Sequence, residues 1–166
     1  MNRSLRSTTF SNPCASDFMG CLAFILLVVF TVPQVVAEAT IVAFGDSTTA
    51  TRGQLNIYAK RLAAAPTLQP FDLKIINAGV GGNNTSLASK RFDRDVLRHH
   101  ADVVIIQFGI NDAAVDVWRT PPATLPRISL QQFEVNLEHF ITAAQSQGAQ
   151  VILMTPNPMR LSLIHI

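Results

Sequence analysis

The ten residues Val103-Val104-Ile105-Ile106-Gln107-Phe108-Gly109-Ile110-Asn111-Asp112 decide the fold. Residues 103–108 are an apolar, β-branched run, the pattern of a strand buried on both faces, and the run stops at a glycine followed by Asn and Asp. The same arrangement occurs twice upstream. Residues 40–44 run into Gly45-Asp46-Ser47-Thr48, and residues 73–76 run into Asn77-Ala78-Gly79-Val80-Gly81-Gly82-Asn83-Asn84-Thr85. A fourth apolar run, residues 151–154, ends at Pro156 and Pro158.

Helical patterns fill the intervals. Residues 54–65 carry Leu55, Ala59, Leu62 and Ala63 on one stripe, and Pro66 stops them. Residues 86–100 read as a helix capped by Thr85 or Ser86, with a weaker face of Leu87, Phe92 and Val96. Residues 130–147 give the clearest helix. Ser129 and Gln132 form an S-x-x-Q capping box, Leu130, Phe133, Leu137, Phe140, Ile141 and Ala144 recur at helical spacing, and Gly148 stands where a left-handed cap is wanted.

Continuous apolar strands alternating with helices predict an α/β domain of three layers, α/β/α, around a doubly wound parallel sheet with four strands visible. In the common 2-1-3-4 strand order, the first and third strands flank the switch point where ligands bind. Their terminal motifs then face one another, with the second motif alongside. Residues 113–128, which include Pro121, Pro122 and Pro126, read as one long loop, and loops of that length inside compact domains usually carry function.

Composition sets the outer bounds. At 166 residues, 48% hydrophobic and 14% charged, the chain can bury the core of one domain. The formal charge is +2, and Arg3 and Arg6 lie in the leader, so the remainder is near neutral. No Lys/Arg run is interleaved with aromatics, and no nucleic-acid partner is expected. Residues 1–37 have the layout of a secretory signal peptide: Arg3 and Arg6, an apolar run over residues 21–32, Pro33, then small residues ahead of a cut before Glu38. The expected location is therefore secreted or periplasmic, or anchored through an uncleaved leader, with no other membrane contact. Both cysteines, Cys14 and Cys21, fall in the leader, so the mature chain offers neither a disulfide nor a thiolate. No metal and no cofactor is expected.

The three motifs hold the parts that acyl transfer requires. A serine where a strand breaks into a turn presents its hydroxyl above the sheet, which makes Ser47 the candidate nucleophile. An oxyanion needs donors, which Gly82 can supply as an unobstructed N–H, Asn111 as a side-chain amide and Ser47 as a further N–H. Blander readings exist: Ser47 as an ordinary helix cap, Asn111 and Asp112 as a strand-end turn, and the glycines as a tight turn only. Trp118 and Arg119 lie in the long loop just after Asn111, either as a substrate wall or with the Trp pinning the loop to the domain. Asp93, Asp95 and Asp102 read as solvated or strand-entry charges. His99 and His100 end a helix that finishes at the edge opposite Ser47, and His139 lies mid-helix away from the apolar stripe, so none of the three is a base for Ser47.

Gly45-Asp46-Ser47, the glycine of Asn77-Ala78-Gly79-Val80-Gly81-Gly82 and Gly109-Ile110-Asn111-Asp112 together resemble, in order, the first three blocks of the SGNH (GDSL-type) hydrolases. The resemblance covers residues 40 to about 160. It implies a flavodoxin-like fold and an esterase, lipase or carbohydrate deacetylase working through an acyl-enzyme on Ser47, with Gly82 rather than Gly81 as the oxyanion glycine. The expected substrate is a small-molecule or polysaccharide ester. The family's fourth block, Asp-x-x-His after a fifth strand, has no counterpart, because His165 has Ser162 three residues before it. Residues 38–166 are therefore expected to be an SGNH domain lacking its C-terminal strand and helix, with residues 161–166 non-native. Two other functions compete: a non-catalytic carbohydrate-binding relative, and a nucleotide-binding α/β module. The second is disfavoured because Asn84 stands where a G-x-G-x-x-G fingerprint needs glycine.

Overall fold

The computed structural model describes residues 38–156. Residues 1–37, expected to be a leader and holding both cysteines, and residues 157–166 with His165 lie outside the described residues. Four strands, β1 (Ala39–Gly45), β2 (Leu73–Gly79), β3 (Val103–Gln107) and β4 (Gln150–Leu153), form one parallel sheet in the order β2-β1-β3-β4. The order and direction are those expected from the sequence. Gly45 sits level with Gly79 on one side and Gln107 on the other, so three strands release their loops at one height.

Side chains alternate between the two faces of the sheet. Val42 and Phe44 of β1 and Val104 and Ile106 of β3 enter the main core, where they meet Phe92, Val96, Phe140 and Ala144. Four phenylalanines, Phe44, Phe92, Phe108 and Phe140, pack there with ring centroids 4.8–6.2 Å apart, within the range of favourable tilted and edge contacts.

The helices depart from expectation in instructive ways. The first, α1 (Tyr58–Ala63), is half the predicted length, because residues 51–57 run irregularly over the end of the sheet. Its N-terminus has no side-chain cap, and Leu55, placed on the predicted stripe, is exposed. The predicted helix 86–100 is broken into α2 (Thr85–Ser89), α3 (Phe92–Asp95) and a single 3-10 turn at Leu97–His99. Its cap is Asn84, whose side chain accepts from Leu87 N at 2.9 Å, and not Thr85 or Ser86. A short helix, α4 (Ile110–Ala113), follows β3 directly.

Helix α5 (Leu130–Ser146) forms as expected, with Ser129 Oγ accepting from Gln132 N at 3.2 Å and Gly148 at φ +91°. Only half the capping box is made: the Gln132 side chain does not accept from Ser129 N, and its amide donates to Asn136 Oδ1 at 2.9 Å. Leu130, first on the apolar stripe, is 72% exposed, and Asn136 is buried in the row between Phe133 and Phe140.

Candidate active site

Strand β1 ends in a turn whose geometry is set by Asp46. Its backbone oxygen accepts from Thr49 N (3.2 Å) and Ala50 N (2.9 Å), and its Oδ1 accepts from Thr48 N and the Thr48 hydroxyl, both at 2.8 Å. Asp46 therefore caps the turn, and no helix starts at Ser47 for that serine to cap. Thr48 Oγ1 also lies 3.0 Å from Gln107 Oε1, and Thr49 Oγ1 lies 3.4 Å from the same atom and from the Tyr58 phenol. Burial, with the Asp46 charge nearby, pushes the Tyr58 phenol above its ordinary pKa, against the opposing hydrogen bond from Thr49. Among the described residues, Ser47 alone of the three hydroxyl residues 47–49 has a side chain without a hydrogen-bond partner.

The second loop is drawn against the first. Val80 N donates to Gly45 O at 3.0 Å, and the Asn77 amide donates to Thr49 O at 2.9 Å. Gly79 is required by this close approach, since a Cβ there would overlap the backbone of Thr49 and Ala50. Asn83 N donates to Val80 O at 3.3 Å and Gly82 has φ +74°, the geometry of a turn that needs a left-handed third residue. A Cβ built on Gly82 meets nothing within 4 Å, so conformation and not space selects glycine there. A Cβ on Gly81 would lie 3.9 Å from Ser47 Cβ, which places this turn beside the serine. The N–H groups of Ser47 and Gly82 donate to no partner among the described residues.

One amide links the three loops. Asn111 Nδ2 donates to Asn83 O at 2.9 Å and lies 3.4 Å from Asp46 Oδ2. The neighbouring Asp112, 3% exposed, uses Oδ1 to accept from Thr85 N (2.8 Å) and the Thr85 hydroxyl (2.6 Å), while Asn136 Nδ2 donates to that hydroxyl at 2.9 Å. Asp112 Oδ2 is buried without a partner.

Sequence reasoning missed Arg91, which holds the arrangement from below. It is 8% exposed, and its guanidinium carbon sits 4.7 Å from the Phe44 ring centroid. Nη2 donates to Gly45 O at 3.0 Å, Nη1 to Ala78 O at 2.7 Å and to Asp95 Oδ2 at 3.0 Å, and Nε to Asn83 Oδ1 at 2.8 Å. Asp95 is thus not a solvated charge. Hydrogen bonds and charge from Arg94 and Arg91 hold its carboxyl below the usual range, with burial opposing. An arginine inside a weakly apolar helical stretch was the available signal. Asp102, by contrast, is a strand-entry residue as read, its Oδ2 accepting from Thr40 N at 2.7 Å.

The long loop forms a wall. Trp118 is 67% exposed, with the Arg127 guanidinium 5.6 Å from its ring, and Arg119 pairs with Asp116 at 2.9 Å. Gly82, Trp118, Arg119 and Asp116 line one groove of about 680 Å³. A second cavity, of about 490 Å³, lies between Val115, Ile128, Phe133 and Pro156. The histidines stand apart. His99 and His100 precede β3 at the edge opposite Gly45, and His139 packs on Phe92 and Phe140. Among the described residues no three His, Cys, Asp or Glu side chains converge as a metal site, and no helix is long and apolar enough to cross a membrane.

Residues 43–163 match the model of the GDSL-like lipase/acylhydrolase family. The chain is 37% identical over 123 residues to the uncharacterized lipoprotein YqeF of Bacillus subtilis, covering 72% of this chain and 49% of that protein. It is 30% identical over 87 residues to an acetylxylan esterase of Geobacillus stearothermophilus, covering 51% of this chain and 38% of that one. Among solved structures, a lipase/acylhydrolase from Enterococcus faecalis superposes with a TM-score of 0.60 at 30% identity, over 75% of this chain and 60% of its own. The chain spans about half the length of the first curated relative and less of the second.

Proposed function

The chain belongs to the GDSL-like lipase/acylhydrolase family, and on that premise we propose that the protein is an exported serine hydrolase of carboxylic esters. Ser47 is the nucleophile and forms the acyl-enzyme, and the N–H groups of Ser47 and Gly82 with the Asn111 amide receive the oxyanion. One observation carries this reading. On a turn where Asp46, Thr48 and Thr49 are all tied down, the Ser47 hydroxyl is left free beside a glycine turn. Two backbone donors next to it are likewise unused, as a preorganised oxyanion site requires.

Neither His99, His100 nor His139 serves as base in this reading. The proton acceptor that the family resemblance implies is the histidine of an Asp-x-x-His block. Trp118 and Arg119 form a substrate wall. An acetylxylan esterase among the relatives favours small acyl esters of a polysaccharide, and a lipoprotein relative together with the signal-peptide-like leader favours action outside the cytoplasm.

Fluorophosphonate labelling and nitrophenyl acetate hydrolysis test the proposal. Wild type labels, and Ser47→Ala loses the label and about 10⁶-fold in rate, the scale seen when a serine nucleophile is removed. Asn111→Ala lowers kcat by about 10²–10³ with KM little changed. A Ser47→Ala variant that keeps more than a tenth of the rate overturns the assignment.

A further inference from the structure

The two cavities beside the long loop differ in chemistry. The smaller is lined mostly by carbon: Val115, Pro126, Ile128, Leu130 and Phe133. The larger begins at Gly82 and passes an exposed indole and three charged groups, Asp116, Arg119 and Arg127. We propose that the larger groove is a saccharide subsite, in which Trp118 offers its ring as a stacking face and the Asp116–Arg119–Arg127 cluster binds the hydroxyls of a neutral pyranose that carries the ester. It rests on the ester-hydrolase reading for its orientation, with the ester carbonyl at the Gly82 end and the sugar extending toward Trp118.

The groove is built before any ligand arrives. Asp116 is buried; its Oδ1 accepts from Arg127 Nε at 2.8 Å and Nη2 at 2.6 Å, and its Oδ2 from Arg119 Nη2 at 2.9 Å. Its backbone oxygen accepts from Arg119 N and Ala123 N, both at 3.2 Å, so the same residue also folds the loop. Arg127 in turn sits over the Trp118 ring and fixes its orientation. A ligand therefore meets an indole already in place, and little loop ordering opposes binding.

The chemistry selects the ligand class. A guanidinium has five N–H donors and a carboxylate about four acceptor sites, so these ion pairs leave capacity on both partners. A sugar hydroxyl both donates and accepts and can use both kinds. The C–H face of a pyranose suits an exposed indole, an apolar body with a polar edge. An acyl chain in the same groove would desolvate three charged groups without replacing their hydrogen bonds. A small anion would find both arginines already neutralised in part by Asp116.

Trp118 is the only tryptophan of the chain, so its emission reports on this groove alone. The chain is titrated with xylotetraose and with cellotetraose, and in separate arms with octanoate and with inorganic phosphate. Either saccharide gives a saturable change in Trp118 emission, and the other two probes do not. By calorimetry, Trp118→Ala weakens saccharide binding about three- to tenfold and Trp118→Phe less. The indole is exposed, so neither variant threatens the fold. Ser47→Ala binds saccharide like wild type, which separates this result from the fate of the nucleophile assignment. No saturable change by about 50 mM saccharide, a response to octanoate or phosphate as strong as that to saccharide, or a Trp118→Ala variant with unaltered affinity overturns the proposal.

Discussion

The floor of the groove and its wall border the same space but are held by different physics. The floor is the set of loops closing β1, β2 and β3, where Asp46, Thr49, Thr85, Arg91, Gln107 and Asp112 are all buried and all hydrogen-bonded. The wall is residues 114–128, where Val117, Trp118 and Leu125 face solvent and one carboxylate between two arginines ties the loop together. A buried polar network is costly to break, because each orphaned group loses its partner and has no water to replace it. The wall's ion pairs reach solvent through Arg119, 67% exposed, and Arg127, and ion pairs open to solvent are worth little and are screened by salt. In the proposed reading, catalytic geometry rests on the rigid part, and substrate fit on the part that can vary without unfolding the domain.

The hardest test of that contrast is Arg91→Met. It keeps the volume of the stem but removes a donor from Gly45 O, Ala78 O, Asn83 Oδ1 and the Asp95 carboxylate, of which Gly45 O keeps Val80 N and Asp95 keeps Arg94. Removing one partner of a buried charged network costs about 3–5 kcal/mol, to be read from urea unfolding. Arg91→Lys recovers only part, since an ammonium cannot span the four acceptors that the planar guanidinium reaches. A loss under about 1 kcal/mol would show that the floor does not depend on this side chain.

Asp112→Ala comes next. It leaves the Thr85 N–H and hydroxyl without their acceptor, at an expected cost of about 2–3 kcal/mol by the same measurement. Asn136→Ala, which removes a donor to the Thr85 and Ser86 hydroxyls and the acceptor of the exposed Gln132 amide, should cost less. Equal costs for the two would mean that Asn136 and not Asp112 anchors the second loop.

The smallest effect belongs to the wall. Hydrogen bonds from Arg127, aided by its charge and that of Arg119, hold the Asp116 carboxyl below the usual range, with burial opposing. A carboxyl depressed in the folded state stabilises above its unfolded pKa, and that contribution is lost as pH falls through the folded value. Acidification below the ordinary carboxylate range should therefore shift Trp118 emission while far-UV circular dichroism stays native. Asp116→Asn should show the shifted emission already at neutral pH. Coincident loss of both signals in the wild type would mean that the wall is no softer than the floor.

Much of this was legible in the residues because it is local. Strand periodicity, the glycine after each strand and the S-x-x-Q start of α5 are written within a few positions, and the sheet order followed from them through the geometry of parallel crossovers. Ser47, Gly82 and Asn111 stood out because each lies in a motif just after a strand, and Gly82 was preferred to Gly81 through the family resemblance. Helix lengths were less legible. Residues 54–57 open the helical stripe read over 54–65 yet lie outside the helix, after a turn held by the close approach at Gly79 and the Asn77 amide bond to Thr49 O.

What the sequence determined by itself is the layered α/β architecture, the sheet edge that bears the three motifs, and the identity of the residues at the ends of the strands. What only the tertiary structure decided is how those ends are held: Arg91 bridging carbonyls at residues 45 and 78, the Asn111 amide reaching Asn83 and Asp46, and Asp112 meeting Thr85 and Asn136. Periodicity reports which side of an element faces inward, because burial of apolar surface is non-directional and summed over many residues. A hydrogen bond between residues dozens of positions apart is directional and depends on angstrom-scale placement, so it exists only once the strands have set the distance.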